Sequence, residues 1–89
     1  MKHIVKRKGH TEIFDARKVY ASVYAACLAV NAEGTAAELV AEKVTENVRE
    51  WLEDKKEVTA DDIHRAVTKH LKVYNPDAAY LHETHHIID

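Results

Sequence analysis

Ile4-Val5-Lys6-Arg7-Lys8-Gly9-His10-Thr11-Glu12-Ile13-Phe14-Asp15-Ala16-Arg17-Lys18 is the stretch on which the reading of this chain turns. Through Lys18 the chain carries six basic side chains, Lys2, Lys6, Arg7, Lys8, Arg17 and Lys18, against Glu12 and Asp15, a net +4. The remaining residues carry seven basic and thirteen acidic side chains, −6, which gives the formal charge of −2. A basic end on an acidic body points to an anion site at one end of the molecule, not to a basic protein overall.

Locally the stretch reads as a hairpin feeding a helix. Gly9 tolerates positive φ, so Lys8-Gly9 can form a two-residue turn. That turn pairs Arg7 with His10, Val5 with Glu12, and Ile4 with Ile13. Alternation places Ile4, Lys6, Thr11 and Ile13 on one face, and Val5, Arg7, His10 and Glu12 on the other. Neither face is cleanly apolar, and so short a ribbon must lie on something else. Asp15 reads as the N-cap of the first helix, with Arg17 and Lys18 in its first turn. Cations there need a compensating acid or anion. The basic residues of turn and helix can converge on one bound anion.

Working outward, Val19, Val23, Ala26, Cys27 and Val30 recur at helical spacing, with Tyr20, Tyr24 and Leu28 beside them. This predicts a helix over 15–31 that is buried on two sides and ends where Asn31 or Gly34 turns left-handed. Thr35 and Glu38 have the spacing of a capping box, and Val40, Val44, Val48, Trp51 and Leu52 form the apolar stripe of a second helix, 35–54. Its row of Glu side chains reads as the solvated face, and Trp51 as a core anchor. Asp54–Glu57 reads as a polar turn. Val58 reads as a hydrophobic staple and Thr59 as the N-cap of a third helix, 59–74. Ile63, Val67, Leu71 and Tyr74 make its buried stripe, with His70 half-buried on it and His64 at its edge. Asn75 and Pro76 open a fourth helix, 75–88, as N-cap and first helical residue.

Composition bounds the rest. Eighty-nine residues suffice for one domain, taken as 1–89, and 46% hydrophobic with 31% charged residues is ordinary globular material. Cys27 stands alone, so it builds no disulfide framework or cysteine zinc site; it reads as a core residue, and a reducing cytoplasm is the expected compartment. The longest apolar run, Val19 to Val30, is 12 residues, broken by Ser22, and is too short to span a bilayer. Membrane association is not expected.

Val5-Lys6-Arg7-Lys8-Gly9, Glu12, Phe14-Asp15 and Lys18 resemble, without a gap over fourteen positions, the opening V-K-R-x-G-x-x-E-x-F-D-x-x-K of the ATP-cone family. ATP-cones are regulatory nucleotide-binding domains of ribonucleotide reductases and of the bacterial repressor of reductase genes. The resemblance continues through the helices. Asp62-Ile63-His64 is similar to a D-I-H motif whose histidine approaches the nucleotide sugar in some reductases, given a one-residue adjustment before it. Asp77-Ala78-Ala79-Tyr80 resembles the run ending in Ala-Tyr in the repressor's cone, but the Arg that follows there is replaced by Leu81-His82-Glu83-Thr84. The resemblance implies a mainly α fold, a four-helix bundle capped by an N-terminal hairpin lid, with ATP or dATP between them as effector. It assigns phosphate contacts to Lys6, Arg7 and Lys18, framing of the base to the strand at Val5, and adenosine contacts to Glu12 and Asp15. His64 joins them at the sugar, and magnesium can accompany the nucleotide. It further implies control of association, as a homo-oligomer or with a parent enzyme or regulator.

No enzyme activity is expected. The chain has two glycines and no G-x-x-x-x-G-K-[ST], so a P-loop cannot form, and no Ser/Thr and acidic pair is placed to hold a catalytic metal. His82, His85 and His86 share a helical face at a spacing seen in two-histidine metal motifs; near the chain end and without an H-E-x-x-H pattern, they read instead as a solvated or partner-facing surface. A rival reading is a helical module for protein interaction or single-stranded nucleic acid, with the basic hairpin and Tyr20, Tyr24, Tyr74 and Tyr80 as its surface. The pI near 6.4 argues against nucleic acid.

Overall fold

The computed structural model describes residues 4–7 and 10–84, with side chains from Thr11 onward. In order these residues form β1 Ile4–Arg7, β2 His10–Ile13, α1 Ala16–Ala29, α2 Gly34–Leu52, β3 Glu57–Thr59, α3 Ala60–Tyr74 and α4 Pro76–Thr84. The fold is mainly helical, as the sequence implies. β1 and β2 pair antiparallel in the expected register, Ile4 with Ile13 and Arg7 with His10. The expected Lys8-Gly9 turn lies outside the described residues, as do His85, His86 and the end of the fourth helix.

β3 corrects the sequence reading, which took residues 54–57 for a turn and Val58 for a staple alone. It pairs parallel to β1, Val5 with Val58 and Lys6 with Thr59, so the sheet runs β2-β1-β3. Val58 is buried between exposed Glu57 and Thr59. That is strand alternation, but three residues are too few for the period to stand out. The extra strand gives the ribbon the support it needs.

The helix ends follow local chemistry with one exception. Asp15 caps α1, accepting from the Arg17 backbone N–H at 2.9 Å. Asn31, at φ 70°, supplies the left-handed residue that ends this helix, and the Ala32 N–H returns to the Cys27 carbonyl at 3.0 Å. Gly34 is not needed for that turn and becomes the first residue of α2. The capping box expected at Thr35 and Glu38 is therefore absent: Glu33 is the N-cap, it makes no side-chain cap bond, and Thr35 sits exposed inside the first turn. The physical reason is the tight Asn31–Ala32 exit, after which the backbone re-enters helical geometry before Thr35. Thr59 does form a capping box. Its hydroxyl accepts from the Asp62 N–H, and its own N–H donates to the Asp62 carboxylate, both at 3.0 Å. Asn75 caps α4 by accepting from the Ala78 N–H at 3.0 Å, with Pro76 first in the helix.

The helices pack in a ring, α1 against α2, α2 against α3, α3 against α4 and α4 against α1, while β1 and β3 lie on α3. Val19, Val23, Cys27, Val44, Val48, Leu52, Val67 and Leu71 fill the interior, as the stripes predict. Full burial of each large aliphatic chain among them contributes about 1.5–3 kcal/mol. Two expectations fail. Leu28 is 42% exposed, so the second apolar side of α1 is carried by Tyr20 and Tyr24, stacked at 6.3 Å between ring centroids. Tyr74 is equally exposed because it lies at the very end of α3, where its hydroxyl accepts from Asn47 Nδ2 at 3.3 Å. Trp51 is half-buried against the core, with Lys55 Nζ 4.8 Å from its ring centroid. Burial pushes the Cys27 thiol pKa up, which leaves it protonated and inert.

The two threonines provide a paired test. Thr59→Ala should destabilise the domain by about 0.5–2 kcal/mol in urea unfolding. Thr35→Ala should stay within about 0.5 kcal/mol of the parent. Equal losses would mean that both helices are capped alike.

Candidate functional site

β1 carries three of the candidate residues and is the central strand of the sheet. It carries Val5, Lys6 and Arg7, and it is hydrogen-bonded on both sides. On one side the register sets Val5 opposite Glu12 of β2. On the other it sets Val5 opposite Val58 and Lys6 opposite Thr59, the residue that caps α3. The sheet thus brings the Val-Lys-Arg run beside the N-terminal turn of α3. His64 lies just beyond that turn and is half-buried.

Asp15 and Lys18 come from the other end of the β2 strand. The Lys18 N–H donates to the Asp15 carbonyl at 3.1 Å, so the β2–α1 junction fixes the two backbones relative to each other. Lys18 is exposed. Arg17, by contrast, folds back on Asp15: its Nε donates to one carboxylate oxygen and an Nη to the other, each at 3.2 Å. This pair answers the problem of cations at a helix N-terminus, since the carboxylate lies between the guanidinium and the helix amides. The side-chain and backbone hydrogen bonds from Arg17 hold the Asp15 carboxyl below the usual carboxylate range. Asp62 is lowered as well, first by the Thr59 backbone N–H, with Arg65 at 2.8 Å adding to the effect.

A cleft of about 830 Å³ opens between the β2–α1 junction and the last turns of α2. Ile13, Phe14 and Asp15 form one wall, and Glu46, Glu50 and Glu53 stand on the other together with Arg49. Of the candidate residues whose side chains are described, Asp15 alone lines it. Asp15 and three glutamates outnumber Arg17 and Arg49 in its described lining, which disfavours phosphates on the α2 side.

The structure corrects the reading of His82. It is not on a solvated face: it is 2% exposed, in the last turn of α4. Its Nδ1 is 2.9 Å from Thr68 Oγ1 of α3, and its ring stacks on that of His64, centroids 4.3 Å apart and 17° from parallel. The signal was present in the sequence, because His82 follows Ala78 by four residues and shares the buried stripe of α4 with it and Ala79. Among the described residues no group of three or more His, Cys, Asp and Glu is arranged to hold a metal ion. No described helix is long and apolar enough to cross a membrane.

Four helices with a small sheet gathered on the third make a small helical domain whose central strand carries the Val-Lys-Arg run. The chain belongs to the ATP cone domain family, whose description it matches over residues 2–84 of 89. ATP-cones are regulatory domains that bind ATP or dATP and are not themselves catalytic. A comparison with curated proteins and another with solved structures each found no match.

The lowered carboxyls give stability a defined pH dependence. Because the folded pKa values of Asp15 and Asp62 lie below the unfolded ones, their contribution is present above the ordinary carboxylate range, and it is lost as pH falls through the folded values. Urea unfolding from neutral pH down to about pH 3 should show this loss. Asp15→Asn should flatten part of it, and an unaltered acid limb in that variant would remove Asp15 from the account.

Proposed function

We propose that this domain is an adenine-nucleotide sensor, with ATP or dATP bound between the N-terminal sheet and the helical bundle. The single observation that carries the reading is the central position of β1. Its Lys6 and Arg7 lie on a strand paired with Glu12 on one edge and with the cap of α3 on the other. Lys6, Arg7 and Lys18 neutralise the phosphates, Arg as a bidentate fork and Lys as a movable point charge. Val5 frames the base, and Glu12 and Asp15 accept from the adenosine part. His64, entering from the first turns of α3, meets the sugar. Family membership supports these roles, and so does the acidic lining of the cleft on the α2 side, which turns phosphates away from that wall.

Binding changes how the domain associates, with a second copy of itself or with the enzyme or regulator that carries it. The physical basis is that a ligand bridging sheet and bundle binds one relative arrangement better than others, and can shift the population only by that difference in affinity. Magnesium enters, if at all, with the nucleotide. The domain itself carries out no hydrolysis in this reading, since no P-loop is present to position an attacking water against a metal-bound phosphate.

Calorimetry with ATP, dATP, ADP and GTP, with mass measured in each state, tests the whole reading. Lys6→Ala and Arg7→Ala should each weaken adenine-nucleotide binding by about one to two decades, the worth of a charged hydrogen bond, about 1.5–3 kcal/mol. Circular dichroism should be unchanged. Full affinity in both variants would exclude the site, and tight, steeply salt-dependent binding of single-stranded DNA without ATP competition would favour the nucleic-acid reading. His64→Ala should alter the ATP/dATP affinity ratio by a few-fold to about tenfold, because the two ligands differ only at a sugar hydroxyl. If His64 merely borders the packed stripe, only the melting temperature will move.

A further inference from the structure

α3 and α4 press two imidazoles together at one edge of their interface. His64 is half-buried in α3, while His82 in α4 is 2% exposed and therefore closed to any ligand in solution. The rings stack at 4.3 Å, and His82 Nδ1 is hydrogen-bonded to Thr68 Oγ1 at 2.9 Å. Thr68 stands one helical turn beyond His64 on the same helix, so α3 supplies both the ring to be held and the anchor that holds its neighbour.

We propose that His82 is a positioning residue for His64, fixed in turn by Thr68, and that this arrangement sets the orientation in which the His64 imidazole meets the nucleotide sugar. The inference rests on the reading of His64 given above and extends it to residues that touch no ligand. An imidazole hydrogen bond to a hydroxyl is directional, so its strength depends on where the ring edge points. Free rotation about the side-chain torsions would spread that edge over several directions, and ordering it on binding would cost affinity. Stacking removes this freedom, because turning the His64 ring would open a gap against His82. His82 cannot follow, since its own ring is tied to Thr68 and enclosed by the α3–α4 interface. A leucine would fill the same volume. A histidine with a polar partner instead gives the neighbouring ring a flat wall in one fixed plane.

The experiment compares ATP and dATP affinities, by calorimetry, and melting temperature in Thr68→Val, His82→Phe and His64→Ala, together with the double variants that combine His64→Ala with each of the other two. Thr68→Val and His82→Phe should each change the ATP/dATP ratio two- to about tenfold, in the direction taken by His64→Ala. In the His64→Ala background neither should change it further, which is the non-additivity expected of residues acting through one another. A fall in melting temperature with the ratio unmoved, or equal effects with and without His64, would overturn the proposal. If His64→Ala shifts the ratio and the other two do not, the positioning role alone is wrong. If His64→Ala leaves the ratio unchanged while Lys6→Ala still weakens binding, the sugar contact fails and the positioning role fails with it. Should His82→Phe not fold, the near-isosteric Thr68→Val decides.

Discussion

The parallel pairing of β1 with β3 is the constraint on which the arrangement depends. A two-stranded ribbon with charged residues on both faces has little reason to settle anywhere. Its attachment comes from three residues, Glu57–Thr59, and two of these each do two things. Val58 buries its side chain in the core while its backbone continues the sheet. Thr59 pairs with Lys6 and also closes a capping box on Asp62. The strand and the start of α3 are thus one rigid junction. The backbone of β1 takes its register from it.

Electrostatics then divides the surface. Arg17 and Asp15 neutralise each other at the head of α1, while the α2 flank of the nearby cleft is predominantly acidic. Lys18, in the first turn of α1, is exposed. The charge is divided along the chain as well, +4 through Lys18 against −6 beyond it.

The helices were legible because they declare themselves twice, by stripe and by end. Asp15, Thr59 and Asn75 mark three starts, and Val44, Val48, Val67 and Leu71 mark faces, so the boundaries that lie within the described residues fall within a few residues of expectation. The strand register was equally legible, since a two-residue Lys8-Gly9 turn implies the pairing of Arg7 with His10 that β1 and β2 show. Two of the failures, β3 and His82, share one cause: the residue's role is set by a distant partner, whereas Thr35 fails locally. β3 exists only because β1 arrives beside it. Thr35 has the spacing of a cap, but the backbone leaving Asn31 is already helical when it reaches Thr35. His82 looks polar and terminal until Thr68 and His64 are brought against it. The roles of individual residues at the nucleotide came from family likeness, not from spacing, because residues spread over two strands and two helices share no local pattern.

The order of the strands has a kinetic side. β1 and β2 can meet as soon as the chain bends at their turn, but β3 is separated from β1 by the whole of α1 and α2, and a parallel pairing admits no short connection. The loop must close before the third strand can add anything, so the sheet assembles after the helices that return it. Read in reverse, the same topology makes the sheet the natural first piece to detach. Opening it breaks a few ladder bonds and exposes Val58, while the ring of helices keeps its interior. Amides of the β1–β3 ladder should therefore exchange with solvent through a smaller fluctuation than those of α2, and a molecule bound across that ladder would slow their exchange most.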